Sequence, residues 1–358
     1  MVEKTLFKEI EKVEEIVQKA TLPFELKEKL QEEILRLRRL SQSGDFIKEY
    51  TRFSSYVEWV VNLPWAKRSD DILDLDFARK ILDRNHYGLK PIKERVLEYL
   101  AVLKLKRDQK RSKKDEETIL KFMRAPILCF VGLVGTGKTT IAYSIAEAMG
   151  RRFVRIPFGG MGDPLYLRGQ SRVHPDAEPG QIIKALRRAG TKNPVILLDE
   201  IDRVVEESRT TIMGVLVELL DPEQNMAFVD HFIDFPFDLS EVLFIATANN
   251  TVNISTAVLD RLEPMMMPSY TDEEKIVIGK DYVLPKAMEE AGLTKENLRI
   301  SEGVWPKIVR PLGYDAGVRT LERTISGICR KVAKMIVEKK GEKFYITEEN
   351  IKDFLPSW

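Results

Sequence analysis

Apolar residues at Leu6, Ile10, Val13, Val17 and Ala20 recur at spacings of four and three, with Glu and Lys between them, and predict one stripe along an amphipathic helix. Pro23 interrupts that stripe. A second helical pattern runs through Leu26, Leu30, Ile34 and Leu37, Ser41 to Gly44 breaks it, and a third occupies Phe46 to Val61. Together they predict a helical arm with a coiled-coil-like seam over residues 1–78, its helices ending near Asn62-Leu-Pro-Trp65. Such a stripe without polar chemistry reads as a packing or oligomerisation element. From Ile127 the pattern changes to short apolar runs between helical stretches: Ile127–Val131, Phe153–Ile156, Val195–Leu198 and Val242–Ala246. Continuous rather than alternating apolar positions predict strands buried on both faces, an α/β parallel sheet with helices on both faces over residues 79–268. Beyond Pro268 helical periodicity returns and predicts a helical subdomain over 269–358.

Composition narrows the function classes. Of 358 residues 44% are hydrophobic, ample for a large core, and 57 basic against 56 acidic residues leave a net charge of +1, which argues against a general polyanion binder. The basic run from Lys104 to Lys114 passes directly into Asp115-Glu-Glu117 without interleaved aromatics, so it reads as a solvated loop; DNA contact is the lesser alternative, and nucleic acid is not an expected partner. Two cysteines, Cys129 and Cys329, give no disulfide framework, and neither a signal peptide nor an apolar stretch of membrane-spanning length is present. A reducing, cytoplasmic location follows, with no membrane partner. The histidines His86, His174 and His231 have no metal-ligand spacing.

One segment carries specific chemistry. Gly132-Leu-Val-Gly-Thr-Gly-Lys138-Thr139 fits G-x-x-x-x-G-K-[ST] after a predicted strand and before a predicted helix. Glycines such as Gly132, Gly135 and Gly137 let backbone N–H groups curl around phosphates, with Thr136 and Thr140 in the same stretch, and the helix N-terminus favours the anion. Lys138 is the candidate for the β- and γ-phosphates, and Thr139 for Mg²⁺. Downstream, Val195-Ile-Leu-Leu-Asp199-Glu200 ends an apolar strand in two carboxylates: Asp199 suits the Mg²⁺ shell, Glu200 suits a water. Asn249, ending a third strand, suits positioning of that water, although a turn-forming Asn reads the same way in isolation.

Further motifs make the chain resemble the ATPase part of Lon proteases, members of the AAA+ class. Phe153-Val-Arg-Ile156, Leu167-Arg-Gly169, Pro179-Gly-Gln-Ile-Ile183, Ala189-Gly-Thr-Lys-Asn-Pro194, Leu198-Asp-Glu-Ile-Asp202, Leu219-Leu-Asp-Pro-Glu-Gln-Asn225 and Gly317-Val-Arg319 carry the likeness in Lon order, as do Asn62-Leu-Pro-Trp65 and His86-Tyr-Gly-Leu89. The resemblance implies an AAA+ P-loop sheet with a C-terminal helical lid and an N-terminal arm, ATP/ADP with Mg²⁺, a hexameric ring, and a protein substrate pulled through a pore. It implies Arg261 as an arginine finger reaching a neighbouring subunit, Arg319 as the sensor arginine of the lid, and Tyr87, Gly88, Leu89 and Val318 beside adenine. A finger supplied in trans accelerates hydrolysis by roughly 10³–10⁵, so activity is expected to depend on assembly.

The sequence also departs from that pattern. No peptidase segment follows the lid, so no peptidase activity is expected of the chain itself, and a separate peptidase is a candidate partner. Where the family carries an aromatic-aliphatic-Gly grip on substrate, the chain reads His174-Pro175-Asp176; in the second pore loop it reads Thr210-Thr211-Ile212, and Leu133-Val134 replaces two prolines in the P-loop. Either the chain is part of a longer, unusual Lon, or it is a stand-alone ATPase that remodels a partner. A nucleotide-dependent assembly scaffold with little turnover is the alternative of a different class.

Overall fold

A computed structural model describes residues 2–40, 46–112, 127–310 and 315–355. The arm contains α1 (Val2–Lys19), α2 (Phe24–Leu40) and α3 (Phe46–Val61), each packed on the other two. Ile10, Val13 and Val17 are buried from α1, Leu26, Leu30, Ile34 and Leu37 from α2, and Phe53, Tyr56 and Val60 from α3. Each buried side chain of this size contributes about 1.5–3 kcal/mol, so the stripes themselves hold the arm together. The seam is a three-helix packing, with every stripe facing two neighbours. The Leu6 side chain and the break at Ser41–Gly44 lie outside the described residues, as do the side chains of the basic run beyond Leu105.

Next come α4 (Leu75–Asn85), whose first turn is capped by the Asp74 carboxylate through the N–H groups of Asp76 and Phe77, and α5 (Lys90–Ser112). The sheet elements are β1 (Ile127–Val131), α6 (Lys138–Met149), β2 (Phe153–Pro157), α7 (Gln181–Ala189), β3 (Val195–Asp199), α8 (Arg209–Leu220), a two-residue pair β4 (Phe228–Val229) and β5 (Pro236–Phe237), β6 (Leu243–Ala248) and β7 (Leu262–Met266). Five strands order as β2-β3-β6-β1-β7. Phe153 lies opposite Val195 and Val195 opposite Leu243, both pairs parallel.

Strands β3 and β6 are buried at every position, as continuous apolar runs require. Two expectations change. Strand β2 stands at the sheet edge and alternates, with Arg155 and Pro157 exposed, so it is not buried on both faces. Strand β7 was not legible because Pro264 interrupts it; it forms the opposite edge, where proline is tolerated.

The C-terminal part contains α9 (Asp272–Ile278), α10 (Leu284–Glu290), β8 (Leu298–Ile300), α11 (Trp305–Val309), α12 (Arg319–Val337) and β9 (Phe344–Ile346). Its core gathers Trp305, Ile308, Leu321, Ile325, Ile328 and Val332. It is not purely helical: β8 and β9 pair in parallel, Leu298 opposite Phe344. Strands of three residues give no period, and their partners lie far apart in sequence. Thr271 and Glu274 form a capping box at the start of α9.

Contacts divide the chain into two compact units that are discontinuous in sequence: Met1–Ile72, Lys106–Cys129 and Met149–Pro264 in one, and Leu73–Leu105, Phe130–Ala148 and Met265–Trp358 in the other. The first unit carries the arm with β2, β3 and β6. The second carries α4, α6 and the C-terminal part. Among the described residues no helix is long and apolar enough to cross a membrane, and no group of three or more His, Cys, Asp or Glu could hold a metal ion.

Candidate nucleotide site

In the second unit the P-loop is defined by backbone. Val131 accepts the Met267 N–H at 2.7 Å, and the chain then turns through Gly135 and Gly137, both at positive φ (83° and 92°). Glycine alone adopts such dihedrals without a Cβ penalty. Close approach adds a second constraint: a Cβ on Gly132 would stand 2.7 Å from the Met267 carbonyl oxygen, and one on Gly317 2.5 Å from the Val134 carbonyl oxygen. The Val318 N–H donates to the Gly135 carbonyl at 3.0 Å, and the Tyr270 hydroxyl donates to that of Thr136 at 3.2 Å.

Lys138, at the start of α6, is buried, and its ammonium donates to the carbonyls of Gly132 (2.5 Å) and Leu133 (2.9 Å). The Thr136 hydroxyl donates to Leu133 and that of Thr140 to Gly137, each at 2.9 Å. Thr139 is the second residue of α6. Arg319 opens α12, with its Cγ 3.3 Å from where a Cβ on Gly135 would stand. Asp315 sets this approach: its carboxylate accepts the N–H groups of Gly317 (3.0 Å) and Thr320 (3.3 Å).

Tyr87, Gly88 and Leu89 link α4 to α5 in the same unit, with Gly88 and Leu89 both at positive φ. The Tyr87 ring meets that of Tyr282 edge-on at 6.3 Å. The link is pinned to α6 by Asn85, which donates to Ser144 (3.0 Å) and Glu147 (2.9 Å), and by His86, whose Nε2 stands 2.9 Å from the Ser144 hydroxyl. Burial, helped by the Lys93 charge, pushes the His86 pKa down to about 4, so the ring is neutral near pH 7. Gly132–Thr140, Tyr87–Leu89, Val318 and Arg319 thus belong to one compact body.

The first unit holds the carboxylates. Asp199, buried at the end of β3, accepts from Arg155 at 2.6 Å and from the Thr247 hydroxyl. The same hydroxyl accepts the Glu200 N–H at 2.9 Å, so one threonine fixes both acids. Glu200 has φ 59°, an uncommon conformation outside glycine, and its carboxylate stands 3.6 Å from Arg203. Asn249 follows β6, and its N–H donates to the buried Asp202 carboxylate at 3.1 Å. Arg261 is tethered within its own unit: it donates to the Ala257 carbonyl at 2.8 Å and to Asp221 at 2.7 Å. That hydrogen bond holds the Asp221 carboxyl below the usual carboxylate range.

Residues 128–270 match the family described as ATPase family associated with various cellular activities (AAA), and residues 289–345 match the Lon protease AAA+ ATPase lid domain. The chain is 44% identical over 339 residues to a Lon protease of Heliobacterium modesticaldum, spanning 95% of this chain and 40% of that protein. It is 43% identical to Lon protease 2 of Thermus thermophilus and 42% identical to Lon protease 1 of Bacillus subtilis, each over 97% of this chain and 42% and 43% of those proteins. The chain is an AAA+ ATPase module homologous to the ATPase and lid part of Lon proteases. It spans about two fifths of the length of these relatives.

Within the Lon-type module, several site residues were not singled out from sequence. Thr247 and Arg155 are the polar exceptions in two apolar strands, and that pattern break was the available signal. Asp202 and Asp221 sit in the motifs Leu198-Asp-Glu-Ile-Asp202 and Leu219-Leu-Asp-Pro-Glu-Gln-Asn225, but nothing local says which backbone or side chain they meet. Tyr270 and Asp315 had no signal. The segment Thr210-Thr211-Ile212 is not a loop: it forms the first turn of α8, Thr211 bonds back to the Ser208 carbonyl, and Ile212 is fully buried in the core. The Leu133 and Val134 side chains point to solvent in part, so replacing prolines there leaves the backbone cradle intact.

Proposed function

We propose that this module binds ATP with Mg²⁺, hydrolyses it in a homo-oligomeric, hexameric ring, and couples hydrolysis to unfolding, translocating or remodelling polypeptide. The observation that carries the reading is the glycine backbone of the P-loop, with Gly135 and Gly137 at positive φ and Gly132 and Gly317 packed too closely against main chain to admit a Cβ. With the N-terminus of α6 this is the geometry that suits a polyphosphate.

In this reading Gly132–Thr140 hold the phosphates, with Lys138 exchanging its carbonyl partners for them, and Tyr87, Gly88, Leu89 and Val318 flank the base. Thr139 and Asp199, hard oxygen donors, are the Mg²⁺ ligands, partly through water. Bound Mg²⁺ neutralises charge on the transferred phosphoryl group. Glu200 holds or takes a proton from the attacking water, Asn249 orients that water, Arg261 acts on a neighbouring subunit, and Arg319 senses the nucleotide from the lid. The loop around His174-Pro175-Asp176 meets polypeptide. Residues 1–78, 79–268 and 269–358 serve as arm, nucleotide-binding domain and lid. A cytoplasmic setting and a separate peptidase partner complete the reading.

The test is Mg²⁺-dependent phosphate release against protein concentration, with light scattering on the same samples. A specific rate that climbs with assembly, is lost in Arg261→Ala and Glu200→Gln, and is accompanied by lost nucleotide binding only in Lys138→Ala, is the expected result. Well-assembled, ATP-bound particles without turnover would overturn hydrolysis in favour of a scaffold.

A further inference from the structure

The arm is joined to the loop that carries His174-Pro175-Asp176 by side chains with no role assigned so far. The loop leaves the short helix Leu165–Arg168 at Gly169 and enters α7 at Gly180, and its neck is closed. A Cβ on Gly180 would stand 2.0 Å from the Leu167 carbonyl oxygen, and one on Gly169 2.7 Å from the Gly180 nitrogen. Asp230, fully buried, braces this neck by accepting the N–H groups of Gly180 (2.7 Å), Phe232 (2.8 Å) and Ile233 (3.1 Å). Beyond the neck the loop is open: Val173 is 78% exposed, and His174, Pro175 and Asp176 are exposed as well.

Three arm residues reach this assembly from two helices. The Arg172 guanidinium carbon stands 3.7 Å over the ring of Tyr56 on α3, and its Nη1 is 3.4 Å from the Glu33 carboxylate on α2. Tyr56 is fully buried, and its hydroxyl donates to the Ile233 carbonyl at 2.9 Å, on the turn that braces the neck. Lys29 on α2 donates to the Asp234 carbonyl (3.1 Å) and carboxylate (2.9 Å) of the same turn. A residue needed only to fill the arm core could be apolar, whereas the buried Tyr56 hydroxyl requires an acceptor and takes it outside the arm. Here its ring face goes to the loop's arginine and its hydroxyl to the brace at the loop's other root. A guanidinium stacked on a ring is directional, and an ammonium does not reproduce it.

We propose that Arg172 is a positioning residue through which the helical arm sets the reach of the 170–179 loop toward polypeptide, so that whatever engages the arm alters polypeptide capture. The proposal rests on the reading of that loop as a polypeptide contact given above.

The full 358-residue chain tests it with two readouts. The first is the mobility of a nitroxide on Asp176→Cys; the native Cys129 and Cys329 are buried, with thiols pushed up to about 12 and about 11, and stay unlabelled. The second, on unlabelled protein, is the concentration of reduced, carboxymethylated lactalbumin that half-maximally stimulates ATP turnover. Tyr56→Leu and Arg172→Ala should free the label, and Tyr56→Phe, which keeps the ring, should not. Arg172→Lys leaves the arm core untouched and should behave as Arg172→Ala, guarding against misfolding of Tyr56→Leu. The half-stimulating concentration should rise about fivefold with the maximal rate retained, as expected for loss of a contact worth about 1 kcal/mol in binding alone, and basal turnover in Tyr56→Leu should be unchanged. Unaltered label mobility in folded Tyr56→Leu and Arg172→Lys would overturn the proposal. Wild-type turnover that ignores polypeptide would instead sink the polypeptide reading of the loop, and label mobility would then decide the arm-to-loop coupling alone.

Discussion

The two units hold their candidate residues by opposite means. Around the P-loop, shape is set by main chain: Gly317 and Val318 lie against the backbone of Val134 and Gly135, and carbonyls receive Lys138, Thr136, Thr140 and Tyr270. Around Asp199, position is set by side chains: Arg155, Thr247 and Asp202 hold the acids and the Asn249 backbone. A backbone site tolerates changed side chains at Leu133 and Val134 but not one added carbon at Gly317. The side-chain site should respond to the loss of single polar atoms while its backbone stays put.

The sharpest way to break this contrast is Gly317→Val. Its Cβ would meet carbonyl and Cα atoms at 2.5–2.7 Å, where nothing flexible gives way. ATP affinity should fall roughly 100-fold, about 2.7 kcal/mol, measured by calorimetric titration; unchanged affinity would remove the backbone argument. Next is Thr247→Val, which strips the bond to Asp199 and leaves the Glu200 N–H without its acceptor. Stability should drop by about 2 kcal/mol in urea titrations, with Thr247→Ser close to wild type.

Asp221→Asn tests whether the tether of Arg261 orients it for work in trans. Turnover of assembled protein should fall about tenfold, the scale of a misplaced reacting group, while turnover of dilute protein stays where it was. The smallest effect concerns His86. Its folded pKa is depressed, so the unfolded chain takes up the proton first and stability declines as pH falls below 6.5 toward 4. Between pH 7 and 5.5 the wild type should lose about 1 kcal/mol that His86→Gln does not, read from denaturation midpoints at each pH.

These contrasts also show what was legible in the chain. The arm helices and the central strands β1, β3 and β6 follow from local pattern, since burial of a stripe or a continuous run writes itself into consecutive residues. Asp199 and Asn249 were legible as candidates because each ends or directly follows an apolar run, and Lys138 because it closes the glycine-rich motif that starts at Gly132. Strand β7 was hidden by Pro264, and β8 with β9 by their length. Thr247, Asp221 and Asp315 escaped because their partners are set by the three-dimensional course of the chain. Thr210–Ile212, set in a second pore loop by the resemblance alone, form a turn of helix with Ile212 buried, which no local pattern announced.

The backbone of Glu200 carries one more consequence. A non-glycine residue at φ 59° costs of order 1 kcal/mol that glycine or asparagine would largely avoid. Selection for heat tolerance alone would therefore replace this glutamate, and Glu200→Gly should melt later than the wild type even though it has lost its carboxylate. With the role proposed for Glu200, durability and turnover would pull this one position in opposite directions.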